Sequence, residues 1–339
     1  MSTASPLVSY CIPAYNHAQH VRACLESVLA QSYPNIEVVV IDDCSTDSTY
    51  EVIQSLGDER VRAYRNPVNV GPGETVNRCM QMARGEFIAV SGSDDVHLPH
   101  KTSIQIERLL AAPHVGAIFS TPEFIGPHDE PLAPSRKRGL PSFPAINLDR
   151  EAMFQRLLGQ GNFLLAPSAI IRKSVVQSIG FFDPGLIQLQ DYDYWLRIAV
   201  EHDLLVLDQP LVRYRMMLDG SNLSSENDAS RNRHHFELSI IFEKLAEAQS
   251  TDESMQSVDA RRSLMQQALA HSHSRDVLNL RARLLYEEIR TGVGGRNAPA
   301  MQEYRKLISD NAIFSDRNPL VDLATKLLRH SRKYIGGQS

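Results

Sequence analysis

Two acidic doublets stand just past two apolar runs. Asp42 and Asp43 close Ile36-Glu37-Val38-Val39-Val40-Ile41, and Asp94 and Asp95 follow Phe87-Ile88-Ala89-Val90 after the short turn Ser91-Gly92-Ser93. Adjacent carboxylates at the end of a buried strand repel each other and lose hydration, so a cation or strong hydrogen-bond donors must compensate them. A divalent metal carrying a diphosphate meets that need, because hard cations take oxygen ligands.

The elements that place these doublets alternate between strand and helix. Residues 7–12 read as a strand, and Pro13-Ala14-Tyr15-Asn16 turns out of it. Asn16 is the expected N-cap of a helix to about residue 31, whose Val21, Cys24, Leu25, Val28 and Leu29 form one apolar face. Residues 38–41 are apolar throughout, as a central parallel strand is. Ser45-Thr46-Asp47-Ser48 is expected to cap a helix to about residue 56, ahead of a strand over 61–64 and an Asn-, Pro- and Gly-rich loop over 66–73. Helix over 74–83, strand over 86–90, helix over 98–110 and strand over 115–120 complete the alternation. This order predicts an open α/β sheet. Ligands of such sheets bind outside the carboxyl ends of the strands, where both doublets fall.

From 121 to 148 the pattern breaks into a proline-rich loop carrying Arg136-Lys137-Arg138. Such a charge run is usually a solvated face, and a loop of that length otherwise serves as a lid that grips phosphate. Beyond it come a helix over 148–158, a strand over 168–172, a short helix over 173–179, a helix over 192–201 and strands over 204–207 and 210–215. Past about residue 228 glycine and proline become scarce and helical patterns run on to residue 334. Residues 1–227 are therefore expected to form one domain and residues 228–339 an appended helical region.

Bulk properties narrow the possibilities. At 339 residues, 42% hydrophobic and 22% charged, the composition is that of a globular protein. A net charge of -5 argues against a nucleic-acid partner. No signal-peptide pattern and no bilayer-length apolar stretch is evident, which predicts a cytoplasmic location. The four cysteines, Cys11, Cys24, Cys44 and Cys79, lack Cys-x-x-Cys spacing and read as free thiols of a reducing compartment.

Several segments, taken in order, carry a resemblance. They are Val8-Ser9-Tyr10-Cys11-Ile12-Pro13-Ala14-Tyr15-Asn16, Ile41-Asp42-Asp43-Cys44-Ser45-Thr46-Asp47, Asn69-Val70-Gly71 with Asn77, Ser93-Asp94-Asp95 before Leu98-Pro99, and Gln190-Asp191-Tyr192-Asp193-Tyr194-Trp195-Leu196-Arg197. The chain resembles an inverting family 2 glycosyltransferase with the GT-A fold over roughly its first two thirds. That resemblance implies an open, mixed, mostly parallel sheet flanked by helices. It implies a nucleotide-sugar donor, UDP-linked, a glycan or lipid-linked acceptor, a divalent metal (Mn or Mg), and a setting in surface polysaccharide synthesis. Asp191 would be the general base, Asp95 would hold the metal with the diphosphate, and Asp94 would sit near the ribose or share the metal. Asp43 would accept from the base edge, Tyr15 would flank the base, Pro13 and Asn16 would shape the loop, and Asn69, Gly71 and Asn77 would complete the donor site. Three departures stand out: Gly92 where many relatives carry an acidic residue, Gln190 where the base is usually preceded by Glu, and Met216-Met217 where a His usually follows Tyr214-Arg215.

Other readings compete at single positions. Asp47 suits a helix cap. Asp191 and Asp193 each lie within reach of a salt bridge to Arg197 or Lys173, and Asp193 is the rival base. Trp195 is expected to pack in the core. The basic side of the last helix, with Lys326, Arg329, Arg332 and Lys333, suits peripheral contact with anionic lipid at the inner face of a membrane, and the C-terminal helices offer surface for self-association. A sugar-phosphate nucleotidyltransferase would open with a Gly-rich, basic loop, which Pro13-Ala14-Tyr15-Asn16-His17 is not. A degenerate, non-catalytic scaffold is the remaining alternative.

Overall fold

The computed structural model describes residues 5–132, 141–217, 228–248 and Tyr286. The chain divides into two compact units, one of Met1–Asp183 with Gln190–Asn222 and one of Pro184–Leu189 with Leu223–Ser339. The short segment Pro184–Leu189 thus belongs with the C-terminal unit although it interrupts the first.

The first unit is built on an eight-stranded sheet. Its strands are β1 (Val8–Ala14), β2 (Ile36–Asp42), β3 (Val61–Arg65), β4 (Phe87–Val90), β5 (Val96–His97), β6 (Val115–Ile125), β7 (Ile170–Arg172) and β8 (Asp203–Arg215), in the order β3-β2-β1-β4-β7-β6-β8-β5. β3, β2, β1 and β4 run parallel, β7 is antiparallel to both its neighbours, and β6 pairs with β8 in parallel. β2 is buried along its whole length, as its unbroken apolar run requires of a strand covered on both faces. The helices are α1 (Val21–Leu29), α2 (Thr49–Gln54), α3 (Pro72–Met82), α4 (Lys101–Ala111), α5 (Arg150–Gln160), α6 (Lys173–Ile179) and α7 (Gln190–Glu201). The core joins Tyr10, Ile12, Val38, Val40, Phe87, Ala89 and Ile118 of the sheet to Leu25 and Val28 of α1 and to Ile106 and Leu109 of α4. Trp195 is fully buried edge-on to Phe119, with ring centroids 4.8 Å apart, as expected of a packing residue.

Some local expectations are corrected. Asn16 does not cap α1, which starts at Val21; it sits at φ 53° and its side chain accepts from the Thr46 N–H instead. β6 continues to Ile125 where a loop was expected from 121, and register shifts at Ser120/Thr121 and Thr121/Pro122 absorb the proline, which has no N–H to donate. The two short strands expected over 204–215 are one, β8. The N-cap of α2 is Ser48, which makes no side-chain cap bond; Asp47, one residue earlier, accepts from the Thr49 N–H at 3.0 Å.

In the second unit, α8 spans Asp228–Ala248 and buries Phe236, Ile240 and Ile241. The expected helices beyond residue 248, with their lipid-facing and self-association surfaces, lie outside the described residues, as does Arg136-Lys137-Arg138.

Candidate active site

β1, β2 and β4 run parallel: β1 and β2 end opposite each other at Ala14 and Asp42, and β4 ends three residues short of them, Val90 lying opposite Cys11. The loops leaving them therefore meet at one edge of the sheet, and both doublets are there. In the first doublet the protein compensates Asp43 fully and Asp42 through one oxygen, the Asp42 Oδ1 having no hydrogen-bond partner among the described residues. Asp43 is buried and accepts from the Val70 N–H (2.9 Å), the Gly71 N–H (2.8 Å) and Asn66 Nδ2 (2.8 Å). Asn69 Nδ2 donates to the Asp43 carbonyl at 3.1 Å. Gly71 has φ 94°, a conformation that favours glycine, so the loop can aim two successive N–H groups at one carboxylate. Asp42 pairs with Arg65 Nε at 3.2 Å and accepts from the Ser45 N–H at 3.1 Å.

The loop after β1 ties the two doublets together. Pro13 pairs in register with Ile41, and the ring of Tyr15 is 43% exposed beside it. The Asn16 N–H donates to Ser45 Oγ at 2.9 Å, and the His17 N–H to Thr49 Oγ1 at 2.8 Å. The His17 ring turns the other way. Its Nδ1 is 2.7 Å from Ser93 Oγ and 4.0 Å from Asp94 Oδ1.

The second doublet is compensated far less. Asp95 is 1% exposed, and its Oδ1 accepts from the Arg215 N–H at 2.9 Å. Burial, and next the charge of Asp94, push its carboxyl well above the usual carboxylate range, against the pull of Arg215. A Cβ at Gly92 would stand 2.7 Å from Asp95 Oδ2 and 2.9 Å from Asp94 Oδ1, so a side chain here would have to displace the ends of both carboxylates. Arg215, 1% exposed, braces the turn from behind: its Nε donates to the Asp94 carbonyl at 2.7 Å, while its outer nitrogens reach the Gly126 carbonyl (2.8 Å) and Asp129 Oδ1 (2.6 Å). Among the described residues no group of three His, Cys, Asp or Glu side chains converges on one point. A crowded oxygen pair with a raised carboxyl nonetheless fits a hard cation that draws its remaining ligands from a diphosphate and water.

β7 runs antiparallel to β4 and enters from this same edge, Ile170 lying opposite Ala89. The segment before β7 therefore lies beyond the end of β4. Asn162, earlier in that segment, donates through Nδ2 to Asp191 Oδ2 at 2.8 Å, Asp191 lying in the first turn of α7. Asp191 Oδ1 accepts from the Tyr192 N–H at 2.8 Å. Burial pushes the Asp191 carboxyl up to about 6. Asp193 differs: it is buried and bonded to Arg197 Nε at 2.9 Å, so the salt bridge belongs to Asp193. Asn77 is corrected in part. Its amide pairs both ways with the Phe182 backbone, at 2.8 and 2.9 Å, and so fastens α3 to the segment ahead of α7 instead of facing a ligand.

Sequence reasoning missed His17, Asn162 and Arg215 as members of this site. His17 had a signal in its place directly after Asn16. Arg215 had only its place after Tyr214 in the family pattern and Asn162 had none, because their roles depend on contacts to residues 120 and 29 positions away.

The mixed eight-stranded sheet flanked by helices is that of the GT-A fold, and solved structures of that fold superpose on the chain. The Staphylococcus aureus TarS 1–349 structure in complex with UDP-GlcNAc matches with a TM-score of 0.56 at 17% identity, covering 89% of this chain and 90% of that one. The Pyrobaculum calidifontis mannosyltransferase PcManGT with GDP-Man and Mn2+ matches with a TM-score of 0.52 at 16% identity, covering 90% and 86%. The family model for glycosyl transferase family 2 matches residues 9–180, and the chain belongs to that family. An uncharacterized glycosyltransferase of Rickettsia typhi is 31% identical over 212 residues, which are 60% of this chain and 64% of that protein, so the chain spans somewhat under two thirds of that relative's length. The succinoglycan biosynthesis protein ExoO of Rhizobium meliloti is 42% identical over 107 residues, 32% of this chain and 31% of its own.

Proposed function

We propose that this chain moves a sugar from a nucleoside-diphosphate sugar, UDP-linked, to a hydroxyl of a glycan or lipid-linked acceptor, inverting the anomeric centre. The observation that carries the reading is the contrast in how the protein partners four carboxylates. Asp43 is consumed by loop N–H groups, Asp95 and Asp94 are crowded together, and Asp191 has only hydrogen-bond donors for partners, with its carboxyl pushed up to about 6. Asp43, Asn69 and Gly71 hold the loop that would meet the nucleoside, with Tyr15, Pro13 and Asn16 beside it. Asp95 and Asp94 would hold a divalent cation, Mn or Mg, together with the diphosphate. Such a cation, when bound, stabilises the negative charge on the departing diphosphate as a Lewis acid. An Asp191 oxygen takes the proton of the acceptor hydroxyl, and a base poised near 6 is ionised at neutral pH without being too weak to accept it. Asn162 and the Tyr192 N–H hold that carboxylate in place meanwhile. Attack from the face opposite the leaving group inverts the centre.

The UDP-GlcNAc and GDP-Man held by the two structural neighbours support a nucleotide-sugar donor. ExoO supports a setting in polysaccharide assembly. No helix among the described residues is long and apolar enough to cross a membrane, and we place the reaction in the cytoplasm, at or near the inner face of the membrane. Sugar transfer measured with Asp191→Asn and Asp95→Ala tests the mechanism; unchanged turnover in both variants overturns it. Calorimetry with UDP, with and without manganese, tests the scaffold alternative, which requires no nucleotide binding.

A further inference from the structure

Glu237 of α8 is 0% exposed, and a carboxylate removed from water must find donors. It finds them in consecutive backbone N–H groups: Ile187 at 2.8 Å, Gln188 at 3.2 and 2.9 Å to its two oxygens, and Leu189 at 2.7 Å. α7 begins at Gln190, so these N–H groups precede the helix and have no acceptor within it. Convergence of successive N–H groups on one anion makes a nest, and bonds to an ionised acceptor are the strong ones. Arg233, one turn earlier on α8, is the charged neighbour; its Nε is 3.4 Å from Gln188 Oε1, and its charge favours the ionised form. Burial pushes the Glu237 carboxyl up to about 7 against the pull of the N–H groups and Arg233. Grip and gripped peptide belong to the same C-terminal unit.

The gripped peptide runs on through Gln190 into Asp191 without an intervening loop. Its backbone angles therefore set how the chain enters the first turn of α7, where Asp191 sits. We propose that Glu237 is a positioning residue for Asp191: by fixing peptide 187–189 it fixes the approach of the base to the acceptor hydroxyl. The proposal rests on Asp191 being the base. It also gives the C-terminal region, which lies beyond the matched residues 9–180, a part in the chemistry.

The test compares wild type, Glu237→Gln, Glu237→Asp and Asp191→Asn in the full chain. Glu237→Gln removes the charge and presents an NH2 to N–H donors. We expect its kcat to fall about 10- to 100-fold, as small misplacements of a reacting group do, with the UDP Kd unchanged. Hydrogen exchange should quicken at the amides of 187–189. Glu237→Asp keeps the charge on a shorter reach and should lose about 3- to 10-fold in kcat, which keeps the test open if the glutamine variant does not fold. A folded Glu237 variant with wild-type kcat overturns the proposal, as does a parallel loss of UDP affinity, which would mark a merely structural role. Wild-type turnover in Asp191→Asn sinks the base assignment and this proposal with it. Loss in Asp191→Asn with none in either Glu237 variant sinks the proposal alone.

Discussion

The two acidic doublets have the same composition and nearly the same place in the fold, yet the protein treats them differently. Asp42 and Asp43 are met by a guanidinium and by donors from a loop that closes over them. Asp94 and Asp95 face each other across Gly92, where a Cβ would fall within 3 Å of a carboxylate oxygen from each. Their described protein partners are the Arg215 N–H at Asp95, the Arg215 Nε at the Asp94 carbonyl and, 4.0 Å from Asp94 Oδ1, His17 Nδ1. A compensated carboxylate is part of the scaffold, whereas an uncompensated one at the edge of a sheet invites a ligand that brings positive charge.

The largest expected effect is on the compensated side. Asp43→Ala would leave the N–H groups of Val70 and Gly71 and the amide of Asn66 without their acceptor. We expect a loss of about 3–5 kcal/mol in unfolding free energy, read by urea denaturation. A loss below 1 kcal/mol would erase the distinction between the doublets.

Asp95→Asn should do the reverse. The amide oxygen can still accept from the Arg215 N–H, and the repulsion with Asp94 disappears, so the unfolding midpoint should hold or rise. Activity should fall about 10²- to 10³-fold, the scale of losing one electrostatic stabiliser of a developing charge. Manganese should no longer tighten UDP binding. Equal destabilisation by Asp43→Ala and Asp95→Asn would show that the structural contrast has no energetic counterpart.

A smaller effect separates Asp191 from Asp193, the second pair of like residues with unlike partners. With the Asp191 carboxyl at about 6, kcat should be level above that pH and fall about tenfold per unit below it, because the protonated acid cannot accept the acceptor proton. Asp193→Asn breaks the bond to Arg197, yet should leave that limb where it is. Movement of the limb in Asp193→Asn would transfer the base role to Asp193.

The alternation of apolar runs and amphipathic helices made the first sheet strands and both doublets legible, because buried parallel strands advertise themselves in composition. Partners were not legible. Neither Asp191 nor Asp193 could be assigned from local spacing, since Arg197 lies within a helical turn or two of both and only the folded helix decides between them. Asn16 has the side chain of a helix cap, but its left-handed backbone and the Thr46 N–H across the loop took precedence. Nothing local marks Arg215 or Glu237 as buried. Their burial follows from tertiary contacts that no window of sequence contains.

The same logic of compensation extends to a buried cation. Lys101 is fully buried at the start of α4; among the described residues its Nζ has no hydrogen-bond partner, and it lies 5.5 Å from the centroid of the Tyr10 ring. Burial lowers its amine to about 7, while the unfolded chain keeps it near 10.5. Between those values the unfolded state binds more protons, so this residue makes the fold gain stability as pH rises from 7 toward 10.5. Lys101→Met keeps the volume and removes the charge, and should raise stability by about 1 kcal/mol at pH 7. The advantage should shrink as pH approaches 10.5, because there both states of the wild type approach neutrality. A variant less stable than wild type at pH 7 would mean that this amine, like Asp43 and unlike Asp95, is compensated by the fold.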